Sequence, residues 1–220
     1  MRSLDLREVQ VGLITALRVN EGKKQVNVFV DGSFSFTVNG EVAAIAGLKT
    51  GQRLSAEQIE ELKHTDLFQS CFRAALYYLG YRPRSEAEVK NRLHRRGFSS
   101  EIVDKVVIRL KELRQIDDVA FAHYWKDNRL SFRPRSRRLI KLELRQKGVD
   151  TEIANEILGD LDDESAAYAA GLKKACLLSG LDYSEFRRRL SGYLRRRGFD
   201  YATVSSAVAR LWLDRQTDSG

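Results

Sequence analysis

The chain reads as a mainly α protein, with a small β-rich N-terminal domain preceding three tandem three-helix repeats in an elongated, curved array. Three observations predict this. Strict apolar alternation is confined to residues 10–39. Beyond residue 66 the apolar spacing becomes helical, and a helix-then-glycine pattern recurs three times. The recurring glycines, Gly97, Gly148 and Gly198, lie 51 and 50 residues apart, the period of a repeat protein.

The strands come first. "VGLITALRV" is followed by a turn at "NEGK", and "QVNVFV" then places Val26, Val28 and Val30 on one face. Asp31-Gly32 separates this run from "SFSFTV", in which Phe34, Phe36 and Val38 alternate. Asp-Gly between two alternating runs is a hairpin signal, because both central positions favour positive φ. Ser55-Ala-Glu-Gln fits a capping box and marks a helix start. Residues 1–64 therefore read as a three-stranded element with short helices packed on it.

The repeats follow. "LHRRGFSSEIVDKVV" from Leu93, "LRQKGVDTEIANEIL" from Leu144 and "LRRRGFDYATVSSAV" from Leu194 align without gaps. Each carries a Leu four residues before the glycine, a basic residue just before it and an apolar residue (Phe98, Val149, Phe199) just after. Val89, Ile140 and Leu190 sit four residues before each aligned Leu, one helical turn away on the same face. Glycine after a last turn stops a helix without a Cβ clash. Each unit thus reads as helix, turn, helix ending at Gly, then a third helix. The units span residues 65–118, 119–164 and 165–215, with a tail at 216–220.

Composition agrees. At 43% hydrophobic and 31% charged over 220 residues, with two prolines, the chain buries a core and is not disordered. The longest apolar run, "VAAIAGL" at 42–48, is too short to cross a membrane. The opening "MRSLDLREVQ" lacks the apolar stretch of a signal peptide, so the expected location is cytoplasmic. Cys71 and Cys176 lie in apolar helical contexts and are expected to be buried, reduced thiols.

Charge is the functional signal. The net +8 is uneven: residues 1–81 are neutral, 82–149 carry +10, 150–181 carry −5, 182–215 carry +4 and Asp218 adds −1. Such a block suggests a polyanionic partner. It begins at a tetrapeptide, Arg-Pro-Arg-Ser, that occurs at 82–85 and again at 133–136 and holds the only two prolines. Proline pushes the preceding residue out of helical geometry, and the serine caps the next helix, so Pro and Ser make a helix-to-helix connector. The arginines are not required for that.

After Ser85 come Glu86 and Glu88, which suit a helix N-terminus and neutralise Arg82 and Arg84. After Ser136 come Arg137 and Arg138, which with Arg133 and Arg135 are expected to form an unanswered cationic group open to an anion. At 100° per residue Arg137, Arg138, Lys141 and Arg145 share one helix face. The candidate partner-binding residues are these six with Lys147, and Arg187, Arg188, Arg195, Arg196 and Arg197 in the third unit. Arg82, Arg84, Arg95 and Arg96 are weaker candidates.

No catalytic constellation stands out. Asp117-Asp118 and Asp162-Asp163 suit metal-assisted chemistry in principle, but each pair lies where a helix begins, and Asp is a favoured N-cap. His64, His94 and His123 are dispersed. "GLKTGQRLS" at 47–55 lacks the spacing of a phosphate loop. Tyr77, Tyr78, Phe121, Tyr124 and Trp125 lie at helical spacing and are expected in the core. No cofactor or metal is expected.

The stretch "ALYYLGYRPRSEAEVKNRLHRRGFSSEIVDKVVIRLKELRQIDDVAFAHYWKDNR" at 75–129 contains an R-x-R-S-x-x-E element, a basic-Gly-Phe stop and a D-D-x-x-F-A junction. With "RLIKLELRQKGVDTEIANEIL" after it, this resembles the RecX family of recombinase regulators, over roughly residues 70–213. The head "VNVFVDGSFSFTV" resembles the extra N-terminal element of longer members. The resemblance implies a non-enzymatic monomer that binds along the RecA–single-stranded DNA filament, with weaker duplex binding. It implies inhibition of RecA's ATP hydrolysis and strand exchange, and hence a part in DNA repair, recombination and the SOS response. Two other readings stand beside it: an independent basic nucleic-acid-binding protein, and a nuclease using the Asp pairs.

Overall fold

The computed structural model describes residues 11–20, 22 and 24–217. The charged N-terminal stretch, part of the turn at 20–23 and the end of the 216–220 tail lie outside the described residues. The chain divides into two compact units, one comprising residues up to 77 with 93–106, the other 78–92 with 107–220.

The first unit contains a four-stranded antiparallel sheet in the order β3-β2-β1-β4, built from β1 (Val11–Asn20), β2 (Gln25–Val30), β3 (Ser33–Asn39) and β4 (Arg53–Ser55), with helix α1 (Gly40–Ile45) between the last two. The fourth strand was not expected: three residues give too little alternation to be read, and pairing of Leu54 with Gly12 makes them a strand. Asp31 and Gly32 turn the β2–β3 hairpin at φ 51° and 83°, as that dipeptide predicts. Ile14, Val26, Val28, Phe36, Val38 and Leu54 form the core of this unit. Phe34 does not join them. The register shifts between Val28 and Phe29, so Phe34 pairs with Phe29 on the opposite face and packs edge-on to it at 5.9 Å.

Ser55 closes a reciprocal capping box with Gln58: each backbone N–H meets the other's side-chain oxygen, at 2.8 and 3.2 Å. The helix it starts is not short. α2 runs unbroken from Ala56 to Leu79, through the expected division at residue 64. No glycine or proline lies within those 24 residues, so nothing in the backbone ends the helix before Gly80.

The remaining helices are α3 (Glu86–His94), α4 (Ser100–Glu112), α5 (Asp118–Phe132), α6 (Arg137–Gln146), α7 (Thr151–Leu158), α8 (Asp163–Cys176), α9 (Tyr183–Arg195) and α10 (Tyr201–Thr217). Together with α2 they fall into the helix, helix-to-Gly, helix pattern of three repeats. Gly97, Gly148 and Gly198 each take the left-handed conformation, at φ 90°, 78° and 88°. The six aligned residues Val89, Leu93, Ile140, Leu144, Leu190 and Leu194 are fully buried. α5, α6 and α7 close on Phe121, Ile140, Leu144, Ile157 and Leu158, while α8, α9 and α10 close on Ala167, Phe186, Leu190, Val208 and Leu211. Leu130 of α5 packs against both clusters and joins the second and third repeats.

Two expectations about side chains are corrected. Tyr77 is 66% exposed rather than core, because α2 presents it on its outer face. Cys71 is buried, but Cys176 is exposed in the last turn of α8, where the apolar face of that helix is carried by Ala167, Ala170 and Ala175.

Candidate nucleic-acid interface

The basic residues owe their positions to two joints built on one plan. Ser85, the residue ahead of α3, accepts from the Glu88 N–H at 3.2 Å and donates its hydroxyl to the Lys147 carbonyl at 2.5 Å. Ser136, the N-cap of α6, accepts from the Leu139 N–H at 3.2 Å, and its own N–H donates to the Arg197 carbonyl at 3.0 Å. Each connector serine thus starts its own helix and also bonds the residue just before the stop glycine of the next repeat.

The Asp pairs complete the plan. Asp117 and Asp162 cap their own helices, α5 and α8. Asp118 reaches back to the Glu86 N–H at 2.8 Å, and Asp163 reaches back to the Arg137 N–H at 2.7 Å. All four carboxylates are therefore engaged with helix N-termini, as orphan N–H groups require. Burial raises the pKa of Asp118, with the neighbouring Glu86 charge adding to it, against the lowering effect of the Glu86 N–H bond and Lys111. Among the described residues no group of three or more His, Cys, Asp or Glu is gathered in metal-binding geometry.

Arg-Pro-Arg-Ser plays different roles in its two copies. Arg82 makes a two-pronged pair with Glu88, at 2.9 and 3.1 Å, and Lys147 meets the same carboxylate at 2.7 Å. Burial alone would raise the Glu88 pKa, but these two cations outweigh it and hold the carboxyl below its usual range. Arg84 is not neutralised by Glu86, which turns instead to Lys90 and Lys111. Arg84 lies over the Tyr78 ring, 4.1 Å from its centroid.

In the second copy Leu139 occupies the position of Glu88, so Arg133 has no carboxylate there and is exposed. Arg135 departs from expectation. It pairs with Glu143, which also accepts from Arg129 Nε at 2.6 Å and Trp125 Nε1 at 2.8 Å. Glu143 is only 8% exposed and is answered on three sides. Arg137 is also committed, its guanidinium donating to the Leu161 carbonyl at 2.5 Å. The expected open anion site at the start of α6 is thus filled internally, by Asp163 and Ser136.

The other candidates divide the same way. Lys147 lies 4.2 Å from the Trp125 ring centroid as well as on Glu88. Arg197 donates to the Pro134 carbonyl and the Tyr193 hydroxyl. Arg188 pairs with Glu185. Arg95 and Arg96, in the other compact unit, are exposed at the end of α3.

Arg133, Arg138, Arg145, Arg187, Arg195 and Arg196 are exposed, and Lys141 is half-buried. Among the described residues none of these seven has a charged partner. They occupy α6 with its lead-in, and α9 with the turn after it. Charge counting alone missed Glu143, whose partners lie 8, 14 and 18 residues away, and the cross-repeat role of Asp118 and Asp163, whose partners lie 32 and 26 residues away. Trp125 is not simply core: Arg129, Lys147 and Arg82 all approach its ring.

A chain of three-helix units linked by reciprocal caps, with cations left over on two of them, defines a basic helical-repeat protein. Family models for the first, second and third three-helix domains of RecX match residues 71–110, 117–158 and 162–208. A regulatory protein RecX of Lactobacillus gasseri is 30% identical over 210 residues, covering 94% of this chain and 77% of that one. One from Prosthecochloris aestuarii is 38% identical over 137 residues, covering 62% and 90%. A crystal structure of regulatory protein RecX shares the fold with a TM-score of 0.65 at 21% identity, over 89% of this chain and 98% of that one. That of RecX from Lactobacillus salivarius gives 0.58 at 24%, over 68% and 99%. The chain belongs to the RecX family.

Proposed function

We propose that this protein regulates the RecA recombinase by binding the RecA–single-stranded DNA filament and inhibiting its ATP hydrolysis and strand exchange. It acts as a cytoplasmic monomer without catalysis of its own, and through that filament it affects repair, recombination and the SOS response. Family membership supports the class of target. The observation that carries the surface is that Arg133, Arg138 and Arg145 stay exposed without a carboxylate among the described residues, whereas neighbouring Arg135 and Arg137 are consumed internally. A folded protein gains little from unpaired surface cations, and a polyanion answers them. Lys141 extends the same helix face, and Arg187, Arg195 and Arg196 continue the contact on the third repeat. The division at 65–118, 119–164 and 165–215 is the proposed repeat frame for that contact.

The test is RecA-catalysed ATP hydrolysis on single-stranded DNA with substoichiometric amounts of this protein. Hydrolysis should fall, and fall less with Arg133, Arg138 and Arg145 reversed to Glu. A flat response with the unaltered protein overturns the proposal. If DNA is bound with a steep salt dependence and RecA is unaffected, the independent nucleic-acid binder takes its place.

A further inference from the structure

In the third repeat, α9 and α10 flank a cleft of about 380 Å³. That volume is within the range of small-molecule sites, roughly 300–1,000 Å³. From α9 it is lined by Arg187, Ser191 and Arg195, spaced four residues apart and so on one helix face. From α10 it is lined by Tyr201 and Ser205, again four apart, with Val204 and Val208. Gly192, also in the lining, has an Arg196 guanidinium nitrogen 3.5 Å from where a Cβ would stand.

The chemistry of this lining is selective. Among the described residues no carboxylate lines the cleft. Arg188, a further lining residue, is answered by Glu185, but Arg187 and Arg195 have no charged partner among the described residues. Tyr201 is 74% exposed, and Tyr183, which also lines the cleft, is 44% exposed with its ring edge-on to Trp212 at 5.2 Å. A ring as open as Tyr201 adds little to the core. Guanidinium groups beside open aromatic rings and hydroxyls match a phosphate joined to a flat, polar-edged base. An acidic peptide would use the charges and leave the rings idle.

We propose that this cleft seats one nucleotide of a single-stranded nucleic acid, its phosphate on Arg187 and Arg195 and its base stacked on Tyr201. The inference deepens the nucleic-acid contact proposed above. It is tested without RecA, so that its failure and the failure of the regulatory reading are distinguishable.

The measurement is fluorescence anisotropy of a labelled oligodeoxythymidylate, with the full chain and with an abasic oligonucleotide of equal length. Arg187→Ala with Arg195→Ala should weaken both ligands and lower the salt slope by roughly 0.7, the value for one phosphate contact on a single strand. Tyr201→Ala should weaken the thymidylate by about five- to hundredfold and leave the abasic strand within twofold. Far-ultraviolet circular dichroism confirms the fold of each variant. An unchanged salt slope in the double variant overturns the proposal. So does equal loss of both ligands on Tyr201→Ala, and so does polyglutamate binding as tightly as the thymidylate.

Discussion

The Ser85 hydroxyl donates a 2.5 Å hydrogen bond to the backbone carbonyl of Lys147, 62 residues further along the chain. The first connector is thereby fastened to the stop turn of the second repeat. The glycine that follows, Gly148, lies against Ala87, and its counterpart Gly198 lies against Ser136 and Leu139. These glycines meet two demands at once, a left-handed φ and room for a neighbour. Gly97 meets only the first, since a Cβ there would have open space around it. Gly97→Ala should cost about 1–2 kcal/mol, and Gly148→Ala and Gly198→Ala a further 1–3 kcal/mol or so from overpacking. Urea unfolding of the three variants checks the order.

Glu88 makes the same joint pH-sensitive. Its carboxyl is held below the ordinary value of 4.5 in the fold, so it contributes stability above that pH. The contribution should fade as the pH drops through the lowered folded value. Glu88→Gln should lose about 1.5–3 kcal/mol at pH 7, the range for hydrogen bonds to charged groups. The gap between the two proteins should close in acid, as thermal unfolding from pH 7 to pH 3 would record.

Asp118 has the opposite sign. Its pKa is raised, chiefly by burial, so its ionised form is disfavoured in the fold and that penalty lifts as the pH falls. Asp118→Asn keeps an acceptor for the Glu86 N–H and removes the charge. Its stability at pH 7 should equal or exceed that of the parent. Asp118→Ala, which leaves the N–H unanswered, should lose about 1 kcal/mol. Chemical denaturation of both variants measures the difference.

The arginines of the second connector should separate by assay. Arg135→Ala removes one partner of buried Glu143 and should lower stability by about 1.5–3 kcal/mol. Arg133→Ala and Arg138→Ala touch no partner among the described residues and should stay within about 0.5 kcal/mol. Their effect should appear instead in DNA binding and its salt slope. Equal destabilisation by all three would contradict the division.

The two thiols should differ in reactivity. Burial pushes the Cys71 thiol up to about 11, where the reactive thiolate is scarce at pH 8, while Cys176 is exposed. An aromatic disulfide reagent should titrate Cys176 rapidly in the native protein and Cys71 only after denaturation.

Local periodicity by itself determined the helices, the three stop glycines, the Asp-Gly hairpin and the buried pairs such as Ile140 and Leu144. Each depends on residues within about one turn of one another, so the pattern carries the information. Tertiary structure decided what periodicity could not reach. The brief strand at Arg53–Ser55 exists because β1 pairs with it, and Phe34 leaves the core because of a register shift. The two copies of Arg-Pro-Arg-Ser share their proline and serine work, as their local chemistry predicts. Which arginines remain open was settled by contacts more than one helical turn away: Glu143 takes Arg135, Leu161 takes Arg137, and Leu139 stands where Glu88 would have answered Arg133. Charge is counted along the chain, but it is neutralised in space.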